Sequence, residues 1–172
     1  MNETAQRVPA RLIWALGLTQ TVGYCTLYYS FGPLVPQLAQ GFGWPEATLF
    51  GVLAGSLLLG GLVSPLAGSL ADRFGAARVL GLGSLAATLT LVLCGLAGDG
   101  LMFCLALLCL ELAAAFVLYP VAFAALAQMS GAAAQRQIVH VTLIAGFAST
   151  LFWPLTTALE QGLGWRGTYL VF

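Results

Sequence analysis

Of the twelve formal charges on this chain of 172 residues, one carboxylate, Glu111, lies well inside an apolar run. An ionised carboxylate in hydrocarbon costs several kcal/mol unless paired or wetted, so an acid placed there is suited to taking up and releasing a proton as its surroundings change. A polar helix contact is the other reading, because the run from Leu101 is long enough to overshoot a bilayer. Three more charges stand in a polar stretch between two apolar runs, Gly68-Ser69-Leu70-Ala71-Asp72-Arg73-Phe74-Gly75-Ala76-Ala77-Arg78-Val79-Leu80. Here Asp72 can accept hydrogen bonds from helix amino termini or from an arginine of a neighbouring helix, holding one arrangement of helices. The alternative is a solvated turn whose Asp72 caps a helix and whose arginines follow the positive-inside bias. Gln20, Tyr24 and Tyr28 recur every four residues, which stacks them on one helix face. Their polar groups suit a substrate cavity and can bind an anion's oxygens, although an aromatic stripe also serves packing. Tyr119, Thr150, Thr142 and Trp153 are further candidates for that cavity, and His140 reads as an interfacial histidine without a role.

The elements that must hold these residues are membrane helices. With 60% hydrophobic and 7% charged residues, the composition is far from that of a soluble domain. Zero net charge, the absence of lysine and the lack of a basic run leave no footprint for nucleic acid or for anionic lipid headgroups. Cys25, Cys94, Cys104 and Cys109 lie in apolar runs at spacings that match no metal or redox motif, so four buried thiols are expected, with no metal and no cofactor. A membrane-embedded enzyme, such as a lipid-modifying transferase or an intramembrane protease, would need clustered carboxylates, metal ligands or a nucleophile with its base. The carboxylates here are scattered and there is one histidine, so no enzymatic activity is expected.

Roughly 20 apolar residues cross a bilayer core as a helix. Five full spans can be drawn, at 12–35, 48–70, 79–97, 101–127 and 138–159, and a sixth begins at 167–172. The sixth stops far short of the length needed to cross, so the chain reads as a fragment or a truncated sequence. Arg7 and Arg11 before Leu12 mimic a signal peptide, but the run continues to Phe31 without a convincing cleavage site and reads as an uncleaved first helix. Pro33, Pro36, Gly41, Gly43 and Pro45 punctuate the first connection, and Gly98-Asp99-Gly100 makes a tight hairpin on the same side. Arg7, Arg11, Arg73, Arg78 and Arg136 then share the other side, with only Arg166 opposite, which predicts a cytoplasmic amino terminus. Gly51 and Gly55, then Gly60, Ser64 and Gly68, and Gly81 with Gly83 recur at helix-packing intervals, while Pro65, Pro120 and Pro154 are placed to bend their spans.

The hinge resembles the signature loop between helices two and three of the major facilitator superfamily, with Ala76 and Ala77 where that loop often has a basic pair and Arg78 following. Leu118-Tyr119-Pro120, Ala145-Gly146, Gly164-Trp165-Arg166-Gly167 and Tyr28-Tyr29-Ser30-Phe31-Gly32 leading to Phe42-Gly43-Trp44 are similar to the monocarboxylate and oxalate/formate antiporter-like branch. The resemblance implies an all-α integral membrane bundle of the major facilitator type, the amino-terminal six-helix half of a twelve-helix transporter, built as two three-helix inverted repeats. It implies a secondary transporter in the inner membrane, symporter or antiporter, working by alternating access on a small organic anion. Gly68, Asp72, Arg73, Gly75 and Arg78 would form a conformational latch that does not touch substrate. The implied partners are the small-molecule substrate, the bilayer and the missing carboxy-terminal half, which must supply any cation for the anion. A drug or hydrophobic-compound exporter of the same superfamily is the rival, since an aromatic cavity with one carboxylate serves it too.

Overall fold

The computed structural model describes residues 9–172, and every regular element among them is helical. Helix α1, Ala10–Tyr24, runs into the π-helical turn Cys25–Tyr29 and continues as α2, Phe31–Phe42. Pro33 fits the interruption, since without an N–H group it leaves the carbonyl of Tyr29, the last residue of the turn, without a helical donor; Pro36 does the same to Gly32, inside α2. Thr26 and Ser30 soften the same turn by donating their hydroxyls to the carbonyls of Val22 and Thr26, at 2.9 and 2.7 Å. Helix α3, Glu46–Phe74, and α4, Ala76–Gly95, are separated by Gly75 alone, whose φ of 90° a side chain would strain. Asp99 then caps α5, Gly100–Ala114, its carboxylate accepting the Met102 N–H at 2.8 Å. After a break at 115–118 comes α6, Tyr119–Ser130, with Pro120 in its first turn, where a missing donor costs nothing. Helix α7, Ala134–Ala145, and α8, Ala148–Val171, complete the chain, and α8 turns sharply at Gly164 (φ 69°, ψ 174°).

Three expectations change at this level. Pro33, Pro36 and Gly41 lie inside α2, not in the first connection, so that connection shrinks to Gly43, Trp44 and Pro45. The run 101–127, drawn as one helix, is two, and the run 138–159 is divided between α7 and α8 and extends beyond both drawn ends. Hydropathy sees none of these breaks, because apolar residues fill them as fully as they fill the helices.

Packing follows a pattern stated twice. Helix α1 lies on α7 as α5 lies on α3, and α2 lies on α8 as α6 lies on α4. The two statements of the pattern are separated by about 90 residues: the turn at 25–29 answers the break at 115–118, Pro65 answers Pro154, and Gly75 answers Gly164. Leu34, Leu38, Leu49, Phe103, Leu107, Leu110, Trp165 and Tyr169 fill the main core, and a smaller one gathers Ala67, Ala71, Ala76, Val79, Val121 and Ala125. Outside, Leu58, Leu62, Leu82 and Leu101 are 67–71% exposed, a surface suited to lipid and not to water.

Element ends collect at two poles. At one, the α3–α4 turn meets the end of α6, and the start of α1 meets α7; at the other, the end of α2, the α4–α5 connection and the Gly164 turn come together. Arg11, Arg73, Arg78 and Arg136 belong to the first pole, and Glu46, Asp99, Glu160 and Arg166 to the second, while Arg7 lies outside the described residues. Of the small residues expected at helix contacts, Gly60 meets the backbone of Glu111 and Gly83 that of Phe116, whereas Gly51, Gly55, Gly68 and Gly81 face open space. The thiols also differ from expectation: Cys25 and Cys94 are buried, Cys104 is half-buried and Cys109 is exposed, because the run carrying the last two presents one face outward.

Candidate functional site

Gln20 organises the middle of the bundle. It is fully buried, and its Nε2 donates to the carbonyl of Val117 at 2.9 Å, so α1 is tied to the break that precedes α6. Its Oε1 has no partner among the described residues. Around this tie lie four tyrosines. The ring of Tyr24 is 4.4 Å from that of Tyr119 and 6.5 Å from that of Tyr29, Tyr28 meets Tyr29 edge-on at 5.2 Å, and Tyr119 stacks on Phe123 at 4.9 Å.

The face expected from spacing is altered by the π-turn. A π-turn holds more residues than an α-turn, so Tyr29 takes the place beside Tyr24 and Tyr28 swings out to 41% exposure. Tyr29 was invisible to an every-fourth-residue pattern. Thr150 is exposed on α8 and makes no hydrogen bond with the described residues, although Cys25, bonded to the Ala148 carbonyl at 3.4 Å, brings the start of α8 beside the π-turn. Trp153 rests against Gly32, and the hydroxyl of Thr142 is spent on its own helix, donating to Ile138 at 2.8 Å. The result is a cluster of phenols and broken backbone joined to one buried carboxamide. Leu118, the residue before α6, has no polar side chain to cap the helix, and Pro120 brings no donor, so the phenols carry the hydrogen-bonding capacity here and the dipole of the helix start adds only a weak bias toward negative charge.

At the hinge, Asp72, Arg73 and Arg78 are exposed and form no ion pair among the described residues; Arg73 instead lies 5.3 Å from the ring of Phe74. Asp72 caps neither neighbouring helix. What ties the turn down is Gln128, a residue the spacing arguments passed over. Its Oε1 accepts the Ala76 N–H and its Nε2 donates to the Ala71 carbonyl, both at 2.9 Å. One carboxamide therefore satisfies the last turn of α3 and the first amide of α4 together. His140 is exposed near the same pole, beside Ala10, Ile13 and Trp14 around a shallow cleft.

Glu111 is apart from the tyrosines. It is 4% exposed in α5, with Gly60 of α3 pressed against its backbone and its Oε1 unpartnered among the described residues. Cys94 of α4 and Tyr169 of α8 lie within electrostatic reach, and the Tyr169 hydroxyl is likewise buried without a partner.

Apolar helices broken at matching points of two repeats, with polar side chains gathered at the breaks, form the architecture of a membrane transporter, since irregular backbone in a membrane is sustained only where protein or a cavity receives it. The family model of the Major Facilitator Superfamily matches residues 17–172, and the chain belongs to that family of multi-pass membrane transporters. No curated protein and no solved structure matches it.

Proposed function

We propose that this chain is the amino-terminal half of a secondary active transporter in the inner membrane, which moves a small, monocarboxylate-like organic anion by alternating access as a symporter or antiporter. The observation that carries this reading is the tyrosine cluster at the paired helix breaks, where the ring of Tyr24 lies against Tyr119 at the start of α6 and is flanked by Tyr29, with Tyr28 edge-on to Tyr29. Phenol hydroxyls, helped weakly by the dipole of a helix start, recognise carboxylate oxygens without a fixed positive charge. The charge itself, in this reading, is balanced by a cation from the carboxy-terminal half that the resemblance implies. In this reading the chain crosses the bilayer five times and begins a sixth crossing. Gly68, Asp72, Arg73, Gly75 and Arg78 act as the latch, and Glu111 carries the coupled proton.

The test is uptake by the full transporter in proteoliposomes, with labelled acetate, lactate and oxalate set against a hydrophobic dye. Carboxylate uptake is expected, and Tyr119→Phe should weaken its apparent affinity roughly tenfold, the worth of one hydrogen bond to a charged group. Dye efflux with no carboxylate uptake would replace this reading with the exporter.

Orientation follows from the pole that holds Arg11, Arg73, Arg78 and Arg136. A reporter fused after Arg78 or Arg136 should behave as cytoplasmic, and one fused after Gly43 or Asp99 as external. A cytoplasmic reporter at Asp99 would reverse the topology.

A further inference from the structure

The contact made by Gln128 occurs a second time, at the other pole. Gln37, on α2, accepts the Trp165 N–H with its Oε1 at 3.0 Å and donates its Nε2 to the Glu160 carbonyl at 3.4 Å. In each case one carboxamide bridges a carbonyl and an amide that flank a glycine of positive φ, Gly75 between Ala71 and Ala76, and Gly164 between Glu160 and Trp165. A Cβ on Gly164 would lie 3.7 Å from the Gln37 Oε1, so the side chain sits over the turn. The glutamines themselves are related by the chain's repeat: Gln37 and Gln128 stand about 90 residues apart, as do the two glycines. Each repeat therefore clamps the turn of the other.

We propose that Gln37 and Gln128 are a matched pair of hinge clamps, one at each membrane face, each positioning the turn between two helices of the opposite repeat. The proposal rests on the transporter reading for its consequence, not for its geometry. A transporter that opens alternately to two sides needs its helix pairs held as rigid units at both, and the signature motif accounts for only one. The turn at Gly164 supplies the other, although it lacks an acid at the position of Asp72, where Gln161 stands. A carboxamide suits the task because it donates and accepts at once and carries no charge, so neither pH nor salt weakens it.

Glutamate turns that property into a test. Protonated, it can still donate to the carbonyl and accept from the amide; ionised, it can only accept, and it faces the carbonyl with like charge. The charged groups around the first clamp are Asp72, Arg73 and Arg78 on the turn, with Arg11, Arg136 and His140 at the same pole; around the second they are Glu160 and Arg166 on the turn, with Glu46 and Asp99 at that pole. In the full transporter, Gln128→Glu should lower the uptake rate roughly three- to tenfold when pH rises on the face of the α3–α4 turn, and Gln37→Glu should respond to pH on the opposite face only. Alanine at either position should lower the rate at every pH. Wild-type pH profiles for both glutamate variants, or responses to the same face, would overturn the pairing.

Hydrogen exchange reads the geometry without transport. Gln128→Ala should speed exchange of the Ala76 amide several-fold and leave Trp165 unchanged, and Gln37→Ala should do the reverse. Unchanged amides would remove the clamps even if transport fell, while a wild-type protein that moves no substrate would defeat the function proposed above and leave this exchange result to decide the clamps.

Discussion

Gly60→Ala should lower the melting temperature of the detergent-solubilised protein by several degrees, and Gly60→Leu should remove most of it from the membrane. A Cβ at Gly60 would lie 2.8 Å from the carbonyl oxygen of Glu111 and 3.4 Å from its carbonyl carbon. These are backbone atoms, which cannot rotate aside, so α3 and α5 must move apart. In a bilayer that separation is costly, because helix association there depends on close packing and not on expulsion of water. Overpacking costs about 1–3 kcal/mol against a gain of about 1 kcal/mol in helix propensity from glycine to alanine, and leucine adds further bulk at the same seam. Gly55→Ala provides the control, since nothing lies within 4 Å of its added Cβ, and it should be neutral or slightly stabilising. Equal melting temperatures for Gly60→Ala and Gly55→Ala would show that the α3–α5 seam is not tight.

That contrast also marks how far spacing along the chain determines contact. Gly51, Gly55, Gly60 and Gly68 look alike along the chain, all small residues at helical intervals, yet only Gly60 meets another backbone. Spacing places residues on a face and cannot say what the face meets. The membrane class and the turn at Gly75 were legible, because hydrophobic length is a one-dimensional property and a glycine between two apolar runs is visible along the chain. The helix breaks were not, since the interruptions at 25–29 and 115–118 are filled with residues as apolar as those around them. The π-turn then shifted the aromatic register and brought in Tyr29. Gln37 and Gln128 were missed for a related reason: a glutamine near a helix end reads as solvated until a turn more than 50 residues away is folded beneath it. The separation of about 90 residues shared by Gln20 with Glu111, Tyr28 with Tyr119 and Gln37 with Gln128 was present in the chain all along. A few matched polar residues in an apolar sequence carry little weight until the two copies are seen to make the same contacts.

On the proposal that Glu111 carries the coupled proton, Glu111→Gln should abolish accumulation driven by a proton gradient while sparing exchange of labelled substrate across the membrane. The substitution holds the side chain uncharged at nearly constant size, which freezes one of the two states a coupling group must visit. Gln20 occupies the matching position of the first repeat, buried like Glu111 and likewise with an unpartnered Oε1, so the other copy already carries a carboxamide there, with its Nε2 donated to Val117. A loss of coupling could then be separated from a loss of structure. The packing alternative makes a different forecast, because Glu111 lies against Gly60 and near Cys94 and Tyr169 in the core, apart from the tyrosine cluster. A carboxylate used only there would change the melting temperature when neutralised and leave the remaining transport with its ordinary response to pH. Uptake into proteoliposomes with and without an imposed pH gradient decides between them, with a melting curve taken on the same preparation. Accumulation by Glu111→Gln at the wild-type level under the gradient would take the residue out of the mechanism and return it to the core.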